Sequence, residues 1–141
     1  MLKITGLYKV FNPGTVNEKV ALKNISLHLE EGDFVTLIGG NGAGKSTLLN
    51  CVAGVYPADG GSIILDGKDI TKLPEHKRAA MLGRVFQDPM VGTAANMWLE
   101  ENLALAYRRG QRRTLKWGIT NKERQLYKEL LSRLDLGLEN R

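Results

Sequence analysis

The sequence predicts an α/β fold built around a phosphate-binding turn, and three consecutive observations predict it. Phe34-Val35-Thr36-Leu37-Ile38 is almost wholly apolar and β-favouring, the pattern of a strand buried on both faces in a parallel sheet. A glycine-rich stretch follows at once, Gly39-Gly40-Asn41-Gly42-Ala43-Gly44. Behind it, Ser46 to Ala53 carries the apolar spacing of a helix that Gly54 ends.

The other elements follow in chain order. Residues 2–8 and 25–29 alternate apolar and polar side chains and read as half-buried strands, with a turn at Asn12-Pro13-Gly14 between them. Glu31-Gly32-Asp33 is a second turn, leading into the apolar run. Residues 62–70 read as a hairpin, because Asp66-Gly67 between apolar flanks suits a tight turn with positive φ. Pro74 fits the first position of a short helix through Ala80. Gly83 to Gln87 reads as a second parallel-type strand, left at Asp88-Pro89. Met97, Leu103, Ala106 and Tyr107 recur at helical spacing between Met97 and Arg109. Gly110 to Gly118 is a polar, basic loop, and Asn121 to Leu134 is a second amphipathic helix with Leu126, Leu130, Leu131 and Leu134 on one face. Near residue 90 strand-like segments give way to helices, which divides the chain into 1–89 and 90–141.

Composition bounds the function classes. The 141 residues are 43% apolar and 25% charged, enough to pack a core and too apolar for wholesale disorder. A single cysteine, Cys51, excludes a disulfide framework within the chain, and this fits a reducing compartment. No run approaches the length of a membrane span, and Met1 to Val10 alternates, unlike a secretory leader. The net charge is +5, with a balance of +1 over residues 1–89 and +4 over residues 90–141. The excess sits mainly at Arg108, Arg109, Arg112, Arg113 and Lys116. Such a run can serve nucleic acid or an anionic membrane surface. Here it reads as a solvated helix end and loop, since Tyr107 and Trp117 are thin support for base stacking.

The strongest chemical signal is Gly39-Gly40-Asn41-Gly42-Ala43-Gly44-Lys45-Ser46, which fits the G-x-x-x-x-G-K-[S/T] pattern of a P-loop. Glycines let successive backbone N–H groups turn inward around phosphate oxygens. The following helix offers unpaired N–H groups and the positive end of its dipole. Lys45 is placed to neutralise β- and γ-phosphates, the Ser46 hydroxyl to ligate Mg²⁺, and Thr47 to add a phosphate contact. A bland glycine turn that merely starts a helix is the competing reading. A buried-type strand before the motif and a helix after it favour nucleotide binding.

With these residues in place, the chain resembles the ATP-binding-cassette (ABC) ATPases. Gly39 to Leu49 looks like their Walker A segment, and Ala21-Leu-Lys-Asn-Ile-Ser-Leu is similar to the strand before it. Asp59 to Ile70 resembles the family's hairpin after the P-loop helix, and Val85-Phe86-Gln87-Asp88-Pro89 its Q-loop. The resemblance implies a P-loop NTPase of ABC type, present in part. That part is an antiparallel β subdomain, a portion of the parallel core sheet and the first helices of the helical subdomain. It implies that Phe11 stacks on adenine, with Tyr8 as the competing candidate, and that Val20 lines the base or ribose. Gly39, Gly40, Asn41, Gly42, Ala43, Gly44, Lys45, Ser46 and Thr47 would hold the phosphates. Gly40 stands where many members carry Pro, at a position the motif leaves free. Gln87 would reach Mg²⁺ or the attacking water and, with Lys45, form the catalytic pair, coupling the site to a transmembrane permease. Glu100 to Ala104 resembles the opening of the helical subdomain, which in importers receives the permease. The resemblance thus implies ATP and Mg²⁺ as ligands, a permease and a second ATPase subunit as partners, and no direct nucleic-acid contact. It implies a cytoplasmic location at the inner membrane face and, from residues 81–110, a bacterial importer of amino-acid-like solutes.

The family's hydrolytic parts are not all found. Ile63-Ile64-Leu65-Asp66 mimics an apolar run ending in a catalytic Asp, but Gly67 follows and the segment is the hairpin. No Ser-Gly-Gly occurs, and the only histidines, His28 and His76, precede Gln87. The chain ends on Leu136-Gly-Leu-Glu-Asn-Arg141, where the resemblance places it shortly before the signature segment. The expectation is therefore a nucleotide-binding portion that binds ATP but hydrolyses it inefficiently, within a complete domain that is an ABC ATPase. A cassette acting on nucleic acid outside transport is the further alternative. A parallel strand without neighbours exposes backbone groups and apolar faces. We therefore expect a low-midpoint melt, or one that rises with protein concentration as copies cover the edge, read by circular dichroism at two concentrations.

Overall fold

The computed structural model describes residues 1–111, 118–135 and 137. Four strands, β1 (Leu2–Phe11), β2 (Lys19–Leu29), β3 (Gly60–Leu65) and β4 (Lys68–Asp69), form one antiparallel sheet in the order β2-β1-β3-β4. Helix α1 (Lys45–Ala53) lies between β2 and β3 in sequence, and α2 (Glu75–Arg78) follows β4. A 3₁₀ turn (Pro89–Gly92), α3 (Leu99–Tyr107) and α4 (Asn121–Ser132) complete the described elements. Two units result, Met1–Leu82 and Gly83–Arg141.

The first unit is organised by glycines that let strands depart from strict pleating. In β1 the register against β2 slips between Ile4 and Leu7, where Gly6 takes φ 59°. The slip puts Leu7, rather than Gly6, on the buried face with Ile4. Asn24 in β2, at φ 55°, absorbs the compensating slip, and Gly6 N–H donates to Ser26 Oγ at 3.0 Å. Across the other edge, Gly61 sits at φ 84°, where an added Cβ would lie 2.5 Å from Gly6 O and 2.6 Å from Thr5 O. The turn from β3 to β4 is the expected Asp66-Gly67, at φ 48° and 75°, the two positive values of a type I′ hairpin. Ile4, Leu7, Leu22 and Ile63 from the sheet meet Leu48 and Cys51 of α1, with Ile70 closing the core.

Helix α1 runs as the sequence predicts. Gly54 ends it at φ 86°, its N–H donating to Asn50 O and Cys51 O. Pro74 stands one position earlier than expected, as the extended residue before α2 rather than its first helical residue. In the second unit, α4 opens with a capping box. Glu123 N–H donates to Thr120 Oγ1 at 3.3 Å, and Thr120 N–H to Glu123 Oε2 at 2.7 Å. Arg108 binds the same Glu123 carboxylate at 2.8 Å and Arg124 binds Glu100 at 2.9 Å, tying α3 to α4. The Thr120 N–H, then Arg108, then the Thr120 hydroxyl hold the Glu123 carboxyl down at about 2.

Two expected strands do not form. Residues 34–38 are irregular, with Phe34 95% and Ile38 92% exposed, and residues 83–87 are irregular too, with Val85 98% exposed. An apolar run gives a parallel strand only when a neighbour accepts its ladder on at least one edge, and among the described residues no strand pairs with either run. The sheet that does form is wholly antiparallel: short turns join β1 to β2 and β3 to β4, and β3 returns beside β1 after α1. Arg112, Arg113, Lys116 and Trp117 of the basic stretch lie outside the described residues.

Gly61→Ala should destabilise the chain by about 2 kcal/mol or more in urea denaturation, because backbone, not a yielding side chain, fills the space. Gly67→Asn, at a positive φ with open space, should stay within about 0.5 kcal/mol.

Candidate functional site

The phosphate loop connects the irregular run 34–38 to α1. Gly42 and Gly44 take φ 81° and 90°, the conformation that turns backbone N–H groups to one side. Gly44 is also the loop's point of closest approach to the sheet. A Cβ there would lie 2.6 Å from Ala21 O and 3.2 Å from Leu22 Cδ2. Opposite β1, the register of β2 slips between Leu22 and Val20, leaving Ala21 as the extra residue whose carbonyl meets the loop. A bulge in one strand and a glycine in the loop thus seat the start of α1 against β2.

That start is left open. Gly44 has no side chain to cap it, no side chain from elsewhere bonds to it, and its first turn holds no acidic residue. The N–H groups of Lys45, Ser46 and Thr47 are therefore available to an anion, aided by the helix dipole. The Lys45 ammonium folds back over the loop and donates to Gly39 O at 2.6 Å and Gly40 O at 2.8 Å. Ser46 is exposed at the same helix turn, and Thr47 is half-buried.

At the end of β1, Phe11 pairs across the strands with Lys19, and Val10 with Val20. The half-buried Phe11 ring meets Tyr56 edge-on, at 5.2 Å between centroids and an interplanar angle of 84°. The Lys9 ammonium lies 5.5 Å from its centre. Lys9 is in turn bound to Asp59 Oδ1 at 3.0 Å, while Asp59 Oδ2 accepts the Val10 N–H at 2.7 Å. The Val10 N–H, and after it the Lys9 ammonium, hold the Asp59 carboxyl below its ordinary range. Asp59 therefore clamps the segment on which Phe11 stands, fifty residues away in sequence. Tyr8, the competing aromatic, lies opposite Gly60 on β3. Gln87 belongs to the second unit and is exposed there, just before Asp88, whose carboxylate accepts the Met90 N–H at 2.9 Å to start the 3₁₀ turn.

Sequence reasoning misses the residue that anchors the far end of α1. Arg78 is 2% exposed. Its guanidinium donates to Cys51 O at 2.7 Å and Val52 O at 2.9 Å in the last turn of α1. It also donates to Leu73 O at 2.7 Å and Thr71 O at 2.9 Å. A cation at a helix C-terminus meets the negative dipole end and the unpaired carbonyls. Burial pulls the Arg78 pKa down from its ordinary value. No sequence signal marks this role, because all four partners are backbone oxygens.

The donor set fits Mg²⁺ held largely through a substrate. Ser46 supplies one hard oxygen, and among the described residues no group of three or more His, Cys, Asp or Glu could hold a metal by itself. Mg²⁺ commonly takes few protein ligands and completes its shell with phosphate oxygens and water.

Comparisons with known proteins point one way. A family model described as "ABC transporter" matches residues 22–141. The tyrosine transport ATP-binding protein of Clostridioides difficile is 41% identical over 139 residues, covering 99% of this chain and 55% of that protein. Among solved structures, the ADP conformation of the ABC transporter cassette MJ1267 matches with a TM-score of 0.74 at 28% identity, covering 99% of this chain and 55% of that one. The dimeric structure of the bacterial ABC transporter cassette MJ0796 matches with a TM-score of 0.73 at 26% identity, covering 94% and 57%. The chain spans about half the length of these proteins.

Removing the Arg78 guanidinium while keeping an apolar stem, as in Arg78→Met, takes the side-chain donor from four carbonyls, of which Cys51 O keeps the Gly54 N–H. The expected loss is about 3 kcal/mol in urea denaturation, with α1 losing protection first in amide hydrogen exchange.

Proposed function

The chain belongs to the ABC transporter family of ATP-binding cassettes, and from that premise we propose that it is the nucleotide-binding portion of an ATPase subunit that powers a bacterial importer. The observation that carries the reading is the open start of α1 behind a left-handed glycine loop, in the same unit as the aromatic end of β1. The relative named for tyrosine transport supports an amino-acid-like solute for this chain's own transporter.

In this proposal the Phe11 ring takes the adenine face, with Val20 beside it on the neighbouring strand. The N–H groups from Gly42 to Thr47 receive phosphate oxygens. Lys45 exchanges its two carbonyl partners for β- and γ-phosphate oxygens, a trade of neutral for charge-assisted hydrogen bonds that favours the bound state. Mg²⁺, when bound between the phosphates and Ser46, supplies charge neutralisation at the transferring group. Gln87 serves at the metal or the attacking water and carries the state of the site to a permease, which holds the subunit at the inner membrane face. A second ATPase subunit completes the assembly, a reading supported by the dimeric cassette among its structural neighbours. We place the functional division at 1–89 for the nucleotide core and 90–141 for the start of the helical subdomain.

A second reading has its own support. Asp66, which the apolar run Ile63-Ile64-Leu65 leads into, stands in the β3–β4 turn with Gly67 after it. By that reading the 141-residue chain holds Mg-ATP with little turnover.

The test is equilibrium binding of Mg-ATP together with phosphate release. The chain should bind ATP, and Lys45→Ala should weaken it on the order of 100-fold with unchanged circular dichroism. Absence of ATP binding by the parent chain would remove the main proposal. Robust phosphate release that Lys45→Ala abolishes would remove the binding-only reading.

A further inference from the structure

The base-stacking and phosphate ends of the site are joined by a residue that no motif marks. Lys19 opens β2 directly opposite Phe11 in the strand register. Its ammonium lies 3.7 Å from where a Cβ on Gly42 would be, which puts the charge beside the phosphate loop itself. One side chain therefore spans from the strand position paired with the aromatic to the glycine turn. Among the described residues, the exposed Lys19 side chain makes no hydrogen bond or ion pair. Its neighbour Glu18 is engaged elsewhere, accepting the Gly14 N–H at 2.7 Å.

Three other basic groups in the unit are already committed. Lys9 is held by Asp59, Arg78 by four carbonyls, and Lys45 by Gly39 and Gly40. Lys19 is thus a cation at the loop with its donors uncommitted.

We propose that Lys19 is a second phosphate-binding cation, contacting an α- or β-phosphate oxygen of a nucleotide whose base stacks on Phe11. The inference rests on the nucleotide-binding reading above and extends it. A nucleotide stretched from Phe11 to the open start of α1 passes its inner phosphates along this path, whereas its γ-phosphate lies beyond them, toward Lys45. Lys19 should therefore contribute to ATP and ADP alike and should not distinguish them, while adenosine, which brings no phosphate, should ignore it.

The experiment compares binding of Mg-ATP, Mg-ADP and adenosine to the full 141-residue chain and to Lys19→Met, Lys19→Arg and Lys45→Ala, at low and moderate salt. Lys19→Met should weaken ATP and ADP by about tenfold each, the scale of one charge-assisted hydrogen bond. It should leave adenosine unchanged, and the ATP deficit should shrink as salt rises. Lys19→Arg should recover most of the loss. Unchanged ATP affinity in Lys19→Met, with ATP binding still lost in Lys45→Ala, overturns this inference alone. An equal loss for adenosine also overturns it, since the effect would then lie in the strand end and not in phosphate contact. Failure of the parent chain to bind ATP overturns the nucleotide reading and this inference with it.

Discussion

A buried guanidinium that forms no ion pair among the described residues, and is held by carbonyl oxygens instead, sets the position of the phosphate-loop helix. Arg78 meets the end of α1 with its charge and its hydrogen-bond donors at once, and it fastens that end to the segment after the hairpin. Carbonyl dipoles are a sound solvent for a buried cation when several converge, and the helix end adds a field of the same sign. Gly54 is part of the arrangement, since a Cβ there would come within 2.9 Å of Arg78 Nε. The helix is therefore fixed at its C-terminus by charge and at its N-terminus by the close seat of Gly44 on Ala21. What lies beyond that seat can be an open anion site because the helix depends on neither a side-chain cap nor an acidic first turn to stay in place.

The clamp at Asp59 plays the matching part on the sheet. A carboxylate that accepts one backbone N–H and one ammonium stiffens the last residues of β1, and the two bonds together account for its lowered pKa. Phe11 inherits that stiffness, with Tyr56 against its edge and Lys9 near its centre. A pre-set aromatic surface costs less to engage than one that must be ordered on binding. The two ends of the site are thus fixed by unrelated devices, a buried cation on one side and a strand-end ion pair on the other.

Much of this was legible in the sequence where the signal is local. The glycine loop, the extent of α1, the Asp66-Gly67 hairpin and the amphipathic α4 all depend on residues within a few positions of one another. Arg78 was not legible, because its partners are carbonyls that every residue carries. The Lys9–Asp59 pair was not legible either, since nothing in a single chain marks two residues fifty apart as partners. The run Phe34–Ile38 shows the opposite failure. Its composition announces a buried strand, but burial belongs to the neighbours as much as to the strand, and in the described residues they are not there. Of the sequence-predicted site residues, Phe11, Val20 and the loop from Gly39 to Thr47 fall in one unit, whereas Gln87 falls in the other.

The contact of Gly61 with Gly6 has a consequence for how the sheet transmits force. Where a side chain separates two stretches of backbone, a change of rotamer can yield space when one of them shifts. Here a Cβ on Gly61 would fall within 2.6 Å of Gly6 O, Gly6 C and Thr5 O, so no side-chain atom fits and backbone packs on backbone. A shift of β3 toward β1 at this point therefore meets backbone, with no rotamer available to make room.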